Sequence, residues 1–189
     1  RLQSFRPVVL GLSATISNYQ ELADWLGAET VASDYRPVKL YRGICFGQEV
    51  TFVPHRQYQL AGENALQELT GIEKQSLVFI STRKGAESAA EKLSSGTGKT
   101  LSPGEQEKLD AVAKKVLSSV EHRTQQCERL ARCVQRGTAF HHAGLTSSQR
   151  SLIEGGFRDG LIRIVCATPT LAAGLNLPAY RVIIRDLKR

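Results

Sequence analysis

Short apolar runs that alternate with longer segments of helical periodicity constrain the fold of this chain most strongly. Four such runs lie at residues 76–80, 138–140, 162–165 and 182–184. Each is short enough for a buried strand, whereas Ala86, Ala89 and Leu93 recur at helical spacing after the first run. Strands that alternate with helices favour a mainly parallel sheet with helices on both faces. The sequence therefore predicts an α/β fold.

The first part of the chain contains a strand-like run and one helix signal. Residues 8–12 are apolar and predict a strand. Asn18 and Glu21 have the spacing of a capping box, and Gly27 follows the last apolar residue of the helical pattern. These signals predict a short strand and then a helix that ends at Gly27.

The middle of the chain carries weaker signals. Runs at 38–46 and 49–53 predict two strands around a turn, and residues 57–69 predict a helix. A polar, glycine-containing stretch at 94–101 predicts a break after the helix that begins near residue 83. We therefore expect a hairpin, a helix and a loop in this part of the chain.

Two later helices have explicit start signals. Ser102 and Glu105 have capping-box spacing with a proline between them, and Thr146 has a glutamine three residues later. The helical pattern after Ser102 contains a wholly polar stretch at 121–126. We expect the helix to break at that stretch.

The balance of charge favours an anionic partner. The 189 residues carry 25 Lys and Arg against 18 Asp and Glu, which gives a net charge of +7. A basic surface favours nucleic acids through phosphate contacts, although a merely basic soluble domain has the same composition. No apolar run approaches the ~20 residues that span a bilayer, so we expect no membrane contact. A start at Arg1 and the lack of methionine predict a piece of a longer protein.

The cysteines and histidines do not predict a metal site. Four scattered cysteines without a C-x-x-C pair are typical of a reducing cytoplasm rather than of a zinc site. His141 and His142 are adjacent, so on a strand they would face opposite sides. Two interpretations stay open for them: core histidines, or a loop that contacts a phosphate backbone.

The loop after the third apolar run has the composition of a ligand site. It contains the hydroxyls of Thr168 and Thr170, small residues that include Gly174, and the amide of Asn176. Ligands of α/β proteins bind at the carboxyl ends of strands, where hydroxyls and amides bond phosphate or sugar oxygens. A hydrophilic loop between two core strands is the alternative interpretation.

One segment is similar to the end of a phosphate-binding P-loop. The chain reads Gly-Thr-Gly-Lys-Thr from Gly96 to Thr100, but Leu93 stands where the full motif needs its first glycine. A helical pattern, not a strand, precedes the segment, so we predict an exposed loop between helices. The alternative is a small nucleotide kinase in which Lys99 binds the nucleotide.

Four segments match one known pattern in one order. They are LSAT at 12–15, LVFISTRKGAE at 77–87, AFHHAGLTSSQR at 139–150 and ATPTLAAGLNLP at 167–178. This set resembles the Ski2-like group of superfamily 2 helicases, and within it the archaeal DNA repair helicases of the HelQ-like branch. RPVKL at 36–40 and VIIRDLKR at 182–189 are similar to the same branch.

The resemblance implies two RecA-like domains that close on ATP around one nucleic-acid strand. Residues 1–34 would be the end of the first domain, and residues 35–189 would be the second domain, truncated before its motif VI. Ser13, Ala14 and Thr15 would form motif III, which couples the ATP state to strand binding.

The resemblance also implies the site residues. Gly174 and Asn176 would face the nucleotide. The residues that would contact the nucleic-acid backbone are Ser81, Thr82, Arg83, His142, Gly144, Thr168 and Thr170. Such contacts bind a strand without reading its sequence.

By resemblance, the whole protein is a DNA helicase that uses ATP and Mg²⁺ and moves 3′ to 5′ on single-stranded DNA. It would unwind branched or forked DNA in repair or replication restart, as a cytoplasmic monomer. The alternatives are a Ski2-type RNA helicase and a non-catalytic nucleic-acid-binding module. The 189 residues contain no complete Walker A or Walker B motif. We therefore expect this chain alone to bind no nucleotide, to hydrolyse no ATP and to unwind no duplex.

Overall fold

The structure, a computed structural model, describes residues 8–13, 16–33, 35–54, 56–62, 64–71, 73–169 and 177–186. The chain divides into two compact units, Arg1–Tyr41 and Arg42–Arg189. The assignment of residues 1–34 and 35–189 to two RecA-like domains stays a prediction.

The described part of the first unit contains helix α1, over Tyr19–Leu26. It ends as predicted at Gly27, whose backbone is left-handed (φ +62°). The predicted capping box is wrong, because Asn18 lacks the extended backbone of an N-cap and donates from Nδ2 to Glu21 Oε2 (3.3 Å) instead. The strand predicted at 8–12 is also wrong, since no strand of the described residues pairs with it.

Three antiparallel strands begin the second unit. They are β1 (Arg42–Phe46), β2 (Glu49–Val53) and β3 (Arg56–Gln59), in the order β1-β2-β3. The predicted hairpin of β1 and β2 is confirmed, and its turn uses Gly47 with a left-handed backbone (φ +59°).

The helix predicted over residues 57–69 is wrong. Strand β3 occupies its beginning because β2 supplies backbone hydrogen-bond partners along that edge. Only Ala65–Glu68 is α-helical (α2), and a 3₁₀ turn follows at Leu69–Gly71. The Asn64 side chain caps α2 by accepting from two backbone N–H groups of its first turn.

The main sheet of the described residues contains four strands. They are β4 (Ser76–Phe79), β5 (Thr138–His141), β6 (Ile164–Ala167) and β7 (Arg181–Ile184). They lie in the order β5-β6-β4-β7 and all pair in parallel. Every residue of β5 and β6 is buried, as expected for parallel strands that are covered on both faces. The predicted α/β fold with a parallel sheet is confirmed.

Four helices of the described residues accompany this sheet. They are α3 (Arg83–Thr97), α4 (Pro103–Ser118), α5 (Gln125–Gln135) and α6 (Ser147–Arg158). They share one hydrophobic core with the strands, in which Leu93, Leu130, Phe140 and Phe157 are buried. The helix starts predicted at Ser102 and Thr146 are confirmed, and both carry a complete capping box.

The break predicted at residues 94–101 is wrong, since α3 continues to its end at Thr97. The polar side chains fit the helix because the hydroxyls of Ser94 and Thr97 donate to main-chain carbonyls one turn back (2.7 and 3.1 Å). The break predicted in the next helical pattern is confirmed, with α4 and α5 separated by residues 119–124.

Parallel pairing brings the carboxyl ends of the four strands to one side of the sheet, the carboxyl edge. Backbone hydrogen bonds continue just past the strands. Ile80 N–H donates to Ala167 O (2.9 Å), and Thr168 N–H donates to His141 O (3.1 Å). The segments that follow β4, β5 and β6 therefore start next to one another.

The opposite side of the sheet is held by the amino-edge cluster, Thr100, Ser102, Glu105 and Arg163. Ser102 N–H donates to Glu105 Oε2 (2.9 Å), and Arg163 Nη2 donates to Glu105 Oε1 (2.6 Å). Arg163 Nη1 also donates to Thr100 Oγ1 (2.9 Å). The Ser102 N–H and then the Arg163 guanidinium lower the pKa of Glu105 to about 2.

Replacement of Ser102 by alanine is expected to lower the free energy of unfolding by about 1 kcal/mol. Helix α4 loses the N-cap acceptor of its capping box, while Glu105 keeps Arg163. Urea denaturation followed by circular dichroism measures the change. Ser95→Ala, at an exposed position inside α3, is the control and should be neutral or slightly stabilising. Equal losses in the two variants would contradict the capping role.

Candidate nucleic-acid interface

Many of the residues predicted to contact nucleic acid lie at the carboxyl edge. Ser81, Thr82 and Arg83 follow β4, His142 and Gly144 follow β5, and Thr168 follows β6. Ser13 lies in the first unit, outside any described helix or strand. The remaining predicted residues lie outside the described residues: Ala14, Thr15, Thr170, Gly174 and Asn176.

The hydroxyls of Ser81 and Thr82 are used within the protein. Asp186 Oδ2, just after β7, accepts from Ser81 N–H (2.9 Å) and from Ser81 Oγ–H (3.0 Å). The Arg185 guanidinium, helped by the Ser81 N–H, holds the pKa of Asp186 well below its usual range. Thr82 Oγ1 caps α3 by accepting from a backbone N–H of its first turn (3.1 Å). These hydroxyls shape the edge, and Arg83, the first residue of α3, is exposed there.

The His142 ring is fully buried at the start of the turn after β5. Its Nε2 lies 3.1 Å from Glu87 Oε1, and its Nδ1 accepts from Gly144 N–H (3.1 Å). Because a backbone N–H can only donate, Nδ1 carries no proton, and the neutral ring carries its proton on Nε2. Burial lowers the pKa of His142, against the attraction of Glu87. The backbone of the turn can therefore contact a nucleic-acid strand, whereas the enclosed ring cannot. The contact with nucleic acid stays a prediction.

The turn of Ala143 and Gly144 is exposed and packs closely on its neighbours. Leu145 N–H donates to His142 O (3.1 Å), which closes the turn. A Cβ at Gly144 would lie 3.0 Å from His142 Nδ1 and 3.7 Å from Arg83 Nη1. Glycine therefore permits this approach, and it places the Arg83 guanidinium beside an exposed stretch of backbone. Backbone N–H groups and guanidinium groups both bind phosphate oxygens.

Sequence reasoning missed the ionic network beneath this turn. Arg129 on α5 contacts Glu87 Oε2 through Nη1 (2.6 Å) and Glu91 Oε1 through Nε (2.6 Å). Gln126 Nε2 donates to Glu87 Oε1 (2.7 Å). The signal that could have found the network is the spacing of Glu87 and Glu91, four residues apart among the buried alanines of α3. The buried carboxylate of Glu87 at such a position needs a cationic partner from another helix.

His141, the last residue of β5, has a separate partner. Its Nε2 lies 2.9 Å from Glu154 Oε1 on α6, and its buried Nδ1 has no partner among the described residues. Burial lowers the pKa of His141, against the hydrogen bond that its Nε2 donates to Glu154. Across the described ranges, no three His, Cys, Asp or Glu side chains group to hold a metal ion. No helix in the described part of the chain has the length and apolarity of a membrane span.

Residues 96–100 lie at the amino edge, opposite the candidate interface. Gly96 and Thr97 complete α3, and Gly98–Thr100 form a 3₁₀ turn rather than the predicted loop. The Thr100 hydroxyl is held by Arg163, which directly precedes β6. A P-loop joins the carboxyl end of a strand to the start of a helix, so this segment does not fit a triphosphate.

Comparison with known proteins finds that the chain is similar to helicases. The model of the helicase conserved C-terminal domain matches residues 107–188. The ATP-dependent DNA helicase Hel308 of Methanocella arvoryzae is 46% identical over 186 residues, which are 96% of this chain and 25% of that protein. Proteins of the same name from Pyrococcus horikoshii and Methanococcus vannielii are 43% and 37% identical.

These relatives confirm the resemblance to archaeal helicases that the sequence motifs indicated. The match to the Pyrococcus protein covers 97% of this chain and 25% of that protein, and the match to the Methanococcus protein covers 100% and 26%. The chain therefore spans about a quarter of the length of the curated relatives it matches.

The free energy of unfolding is expected to fall as the pH drops below about 6.5. Burial lowers the folded-state pKa of His141 and His142, so the unfolded chain binds protons in this range that the folded chain does not. The stabilisation is complete above the unfolded pKa and is lost as the pH falls toward the folded values. The slope is at most about 1.4 kcal/mol per pH unit for each histidine. Urea denaturation across this range measures it.

His142→Asn is the variant that identifies the contribution of this ring, and it should flatten the slope. Carboxylates with a lowered pKa, such as Glu91 and Glu105, lose their stabilisation only near and below their ordinary value of 4.5. They therefore leave the slope above about pH 5.5 unaffected. A slope in His142→Asn equal to that of the parent would contradict the assignment.

Proposed function

We propose that this chain, which carries a helicase conserved C-terminal domain with a RecA-like fold, is the second motor domain of an ATP-dependent DNA helicase. Relatives at 37–46% identity that carry the name ATP-dependent DNA helicase support the proposal. The parallel sheet with its carboxyl edge supports it too, because α/β proteins bind ligands on that side.

One observation carries the proposal for this site: the exposed Arg83 guanidinium lies beside the exposed turn of Ala143 and Gly144. The two groups come from the ends of different strands, so they present a cation and a backbone segment to one ligand. Contacts of this kind hold a phosphate backbone and do not read bases. Thr168, at the end of β6, and Thr170 beyond it are proposed to extend the grip along the strand.

The nucleotide is proposed to act in the whole protein. Gly174 and Asn176 would face ATP, and Ser13, Ala14 and Thr15 would couple the ATP state to strand binding. Residues 96–100 do not fit a triphosphate, so they are not the nucleotide site. Closure of two domains on ATP with Mg²⁺ would move one grip relative to the other, which gives stepwise translocation, 3′ to 5′ by the resemblance.

The substrate is proposed to be single-stranded or forked DNA, in repair or replication restart. The whole protein is proposed to act as a monomer in the cytoplasm. An RNA helicase is the second candidate, because contacts with the phosphate backbone suit either nucleic acid. Unwinding by the whole protein of matched DNA and RNA forks separates the two. Preferential unwinding of the RNA fork would overturn the DNA assignment.

Arg83→Ala is expected to weaken the binding of single-stranded oligothymidine severalfold. Loss of one phosphate contact should also flatten the dependence of log K on log salt by about 0.7 for a single strand. Fluorescence anisotropy at several salt concentrations measures both quantities.

Lys99→Ala is the matched control, since it removes one exposed cation at the amino edge, beyond the end of α3 and about 24 Å from Arg83. Its oligothymidine affinity should match the parent within error. Equal losses in the two variants would indicate binding by net charge alone and would contradict the interface. The nucleotide-kinase alternative instead requires Lys99→Ala to abolish nucleotide binding.

The 189 residues alone are expected to show no ATP turnover, because they contain no complete Walker A or Walker B motif. A phosphate-release assay with and without single-stranded DNA tests this, with the whole protein as the positive control. ATP turnover by these 189 residues that persists in Arg83→Ala and disappears in Lys99→Ala would refute the proposal that the nucleotide site lies outside residues 96–100.

A further inference from the structure

We propose that Glu87 is a positioning residue: it fixes which ring nitrogen of His142 carries the proton, and the ring in turn holds the Gly144 turn beside Arg83. The inference rests on the proposed function, since the turn and Arg83 form the candidate nucleic-acid interface. Glu87 itself lies on α3, is only 6% exposed, and contacts His142.

Glu87 is held in place by two side chains of α5. Arg129 Nη1 donates to its Oε2 (2.6 Å), and Gln126 Nε2 donates to its Oε1 (2.7 Å). The guanidinium compensates the buried carboxylate charge, and the two donors fix the orientation of the carboxylate. An ionised carboxylate accepts hydrogen bonds and donates none.

The carboxylate therefore selects one tautomer of His142. Oε1 lies 3.1 Å from Nε2, so the favourable form carries its proton on Nε2. Nδ1 then has a free lone pair, which accepts from Gly144 N–H (3.1 Å). In the other tautomer the lone pair of Nε2 would face the Glu87 carboxylate, and the N–H of Nδ1 would face the Gly144 N–H. Neither pair can form a hydrogen bond. Both hydrogen bonds depend on the same proton position.

The Gly144 hydrogen bond sets the shape of the exposed turn. With Leu145 N–H donating to His142 O (3.1 Å), it fixes the backbone of Ala143 and Gly144 over the ring. The ring is itself located by stacking on Phe140, with ring centroids 5.5 Å apart. Arg83 Nη1 lies beside the Gly144 backbone, so a turn that moves changes the spacing of the two groups offered to a phosphate.

Glu87→Gln is the decisive variant because it keeps the size of the side chain and removes the charge. Arg129 requires an oxygen at the Oε2 position, so the new NH₂ group takes the Oε1 position and faces His142, and the Gln126 amide turns to present its oxygen to that group. A donor there favours the tautomer with its proton on Nδ1, and the bond from Gly144 N–H is lost. Ring ¹⁵N shifts of His142 are expected to exchange between Nδ1 and Nε2. The affinity for oligothymidine is expected to fall about fivefold, the equivalent of one hydrogen bond.

Glu91→Gln is the matched control. Glu91 accepts from the same Arg129 (Oε1 to Nε, 2.6 Å) but does not contact His142, so both the tautomer and the affinity should be unchanged. The same loss of affinity in Glu91→Gln would overturn the role of Glu87, because it would trace the effect to the ion network as a whole.

A double-mutant cycle isolates the path through the histidine. In His142→Asn the new Oδ1 can accept from Gly144 N–H in an Asx turn, without help from Glu87. This variant should keep an affinity within about twofold of the parent. Addition of Glu87→Gln to it should cause no further loss. A further fivefold loss would show that Glu87 acts by another route and would overturn the proposal.

His142→Gln supplies a second test that leaves Glu87 intact. Its longer amide can reach Glu87 but not the Gly144 N–H, so its affinity should fall although the contact with α3 is kept. Equal affinities of His142→Asn and His142→Gln would overturn the proposed path from Glu87 through His142 to Gly144, even if Glu87→Gln does not fold. Failure of the parent chain to bind oligothymidine would overturn the proposed function instead. An unchanged tautomer in Glu87→Gln, with normal binding, would overturn only the proposed path.

Discussion

Parallel hydrogen bonding between four short strands determines where the described candidate residues of the second unit lie. Strand β4 pairs with β6 and β7 at once, with Ser76 opposite both Ile164 and Arg181. Because the strands run in one direction and are four residues long, their ends meet within one narrow edge. Residues far apart in the sequence, such as Ser81 and Asp186, reach hydrogen-bond distance for this reason. Backbone pairing of the strands therefore brings the polar side chains of this edge together.

A network of charged and polar side chains, partly buried, lies beneath that edge. Glu87, Glu91, Arg129 and His142 could be replaced in principle by apolar side chains, which often stabilise a protein more than a buried ion pair does. Removal of Arg129, in contrast, leaves the buried Glu87 carboxylate without its cation and is strongly destabilising, whereas the partly exposed Glu91 carboxylate is compensated by water. Such a network specifies a conformation more than it adds stability. In the proposal for Glu87, the conformation that the network specifies is that of the exposed turn of Gly144.

Local signals in the sequence predicted much of the fold. Capping residues and periodicity placed α3, α4 and α6, and apolar runs placed the four parallel strands, because these signals act within a few residues of the chain. Residues 57–69 failed because β3 forms on β2, and the pairing energy of a neighbouring strand is not visible in the segment itself.

The candidate site was predictable only in part, for the same physical reason. The resemblance brought Arg83, His142 and Gly144 to attention, and the parallel sheet places them together. That the His142 ring would be enclosed depends on a carboxylate 55 residues away on α3, which no local pattern connects to it. The hydroxyls of Ser81 and Thr82 likewise bond within the protein, because partners at Asp186 and at the start of α3 are available.

The amino-edge cluster has a consequence for how this domain can change over evolutionary time. Arg163 joins the end of α3, the first turn of α4 and the start of β6 on the side of the sheet that meets no proposed ligand. Loops anchored to a scaffold that is secured elsewhere tolerate substitution and insertion. Related domains could thus acquire new substrates by changes in the segments after β4, β5 and β6, while the amino-edge cluster keeps the fold unchanged.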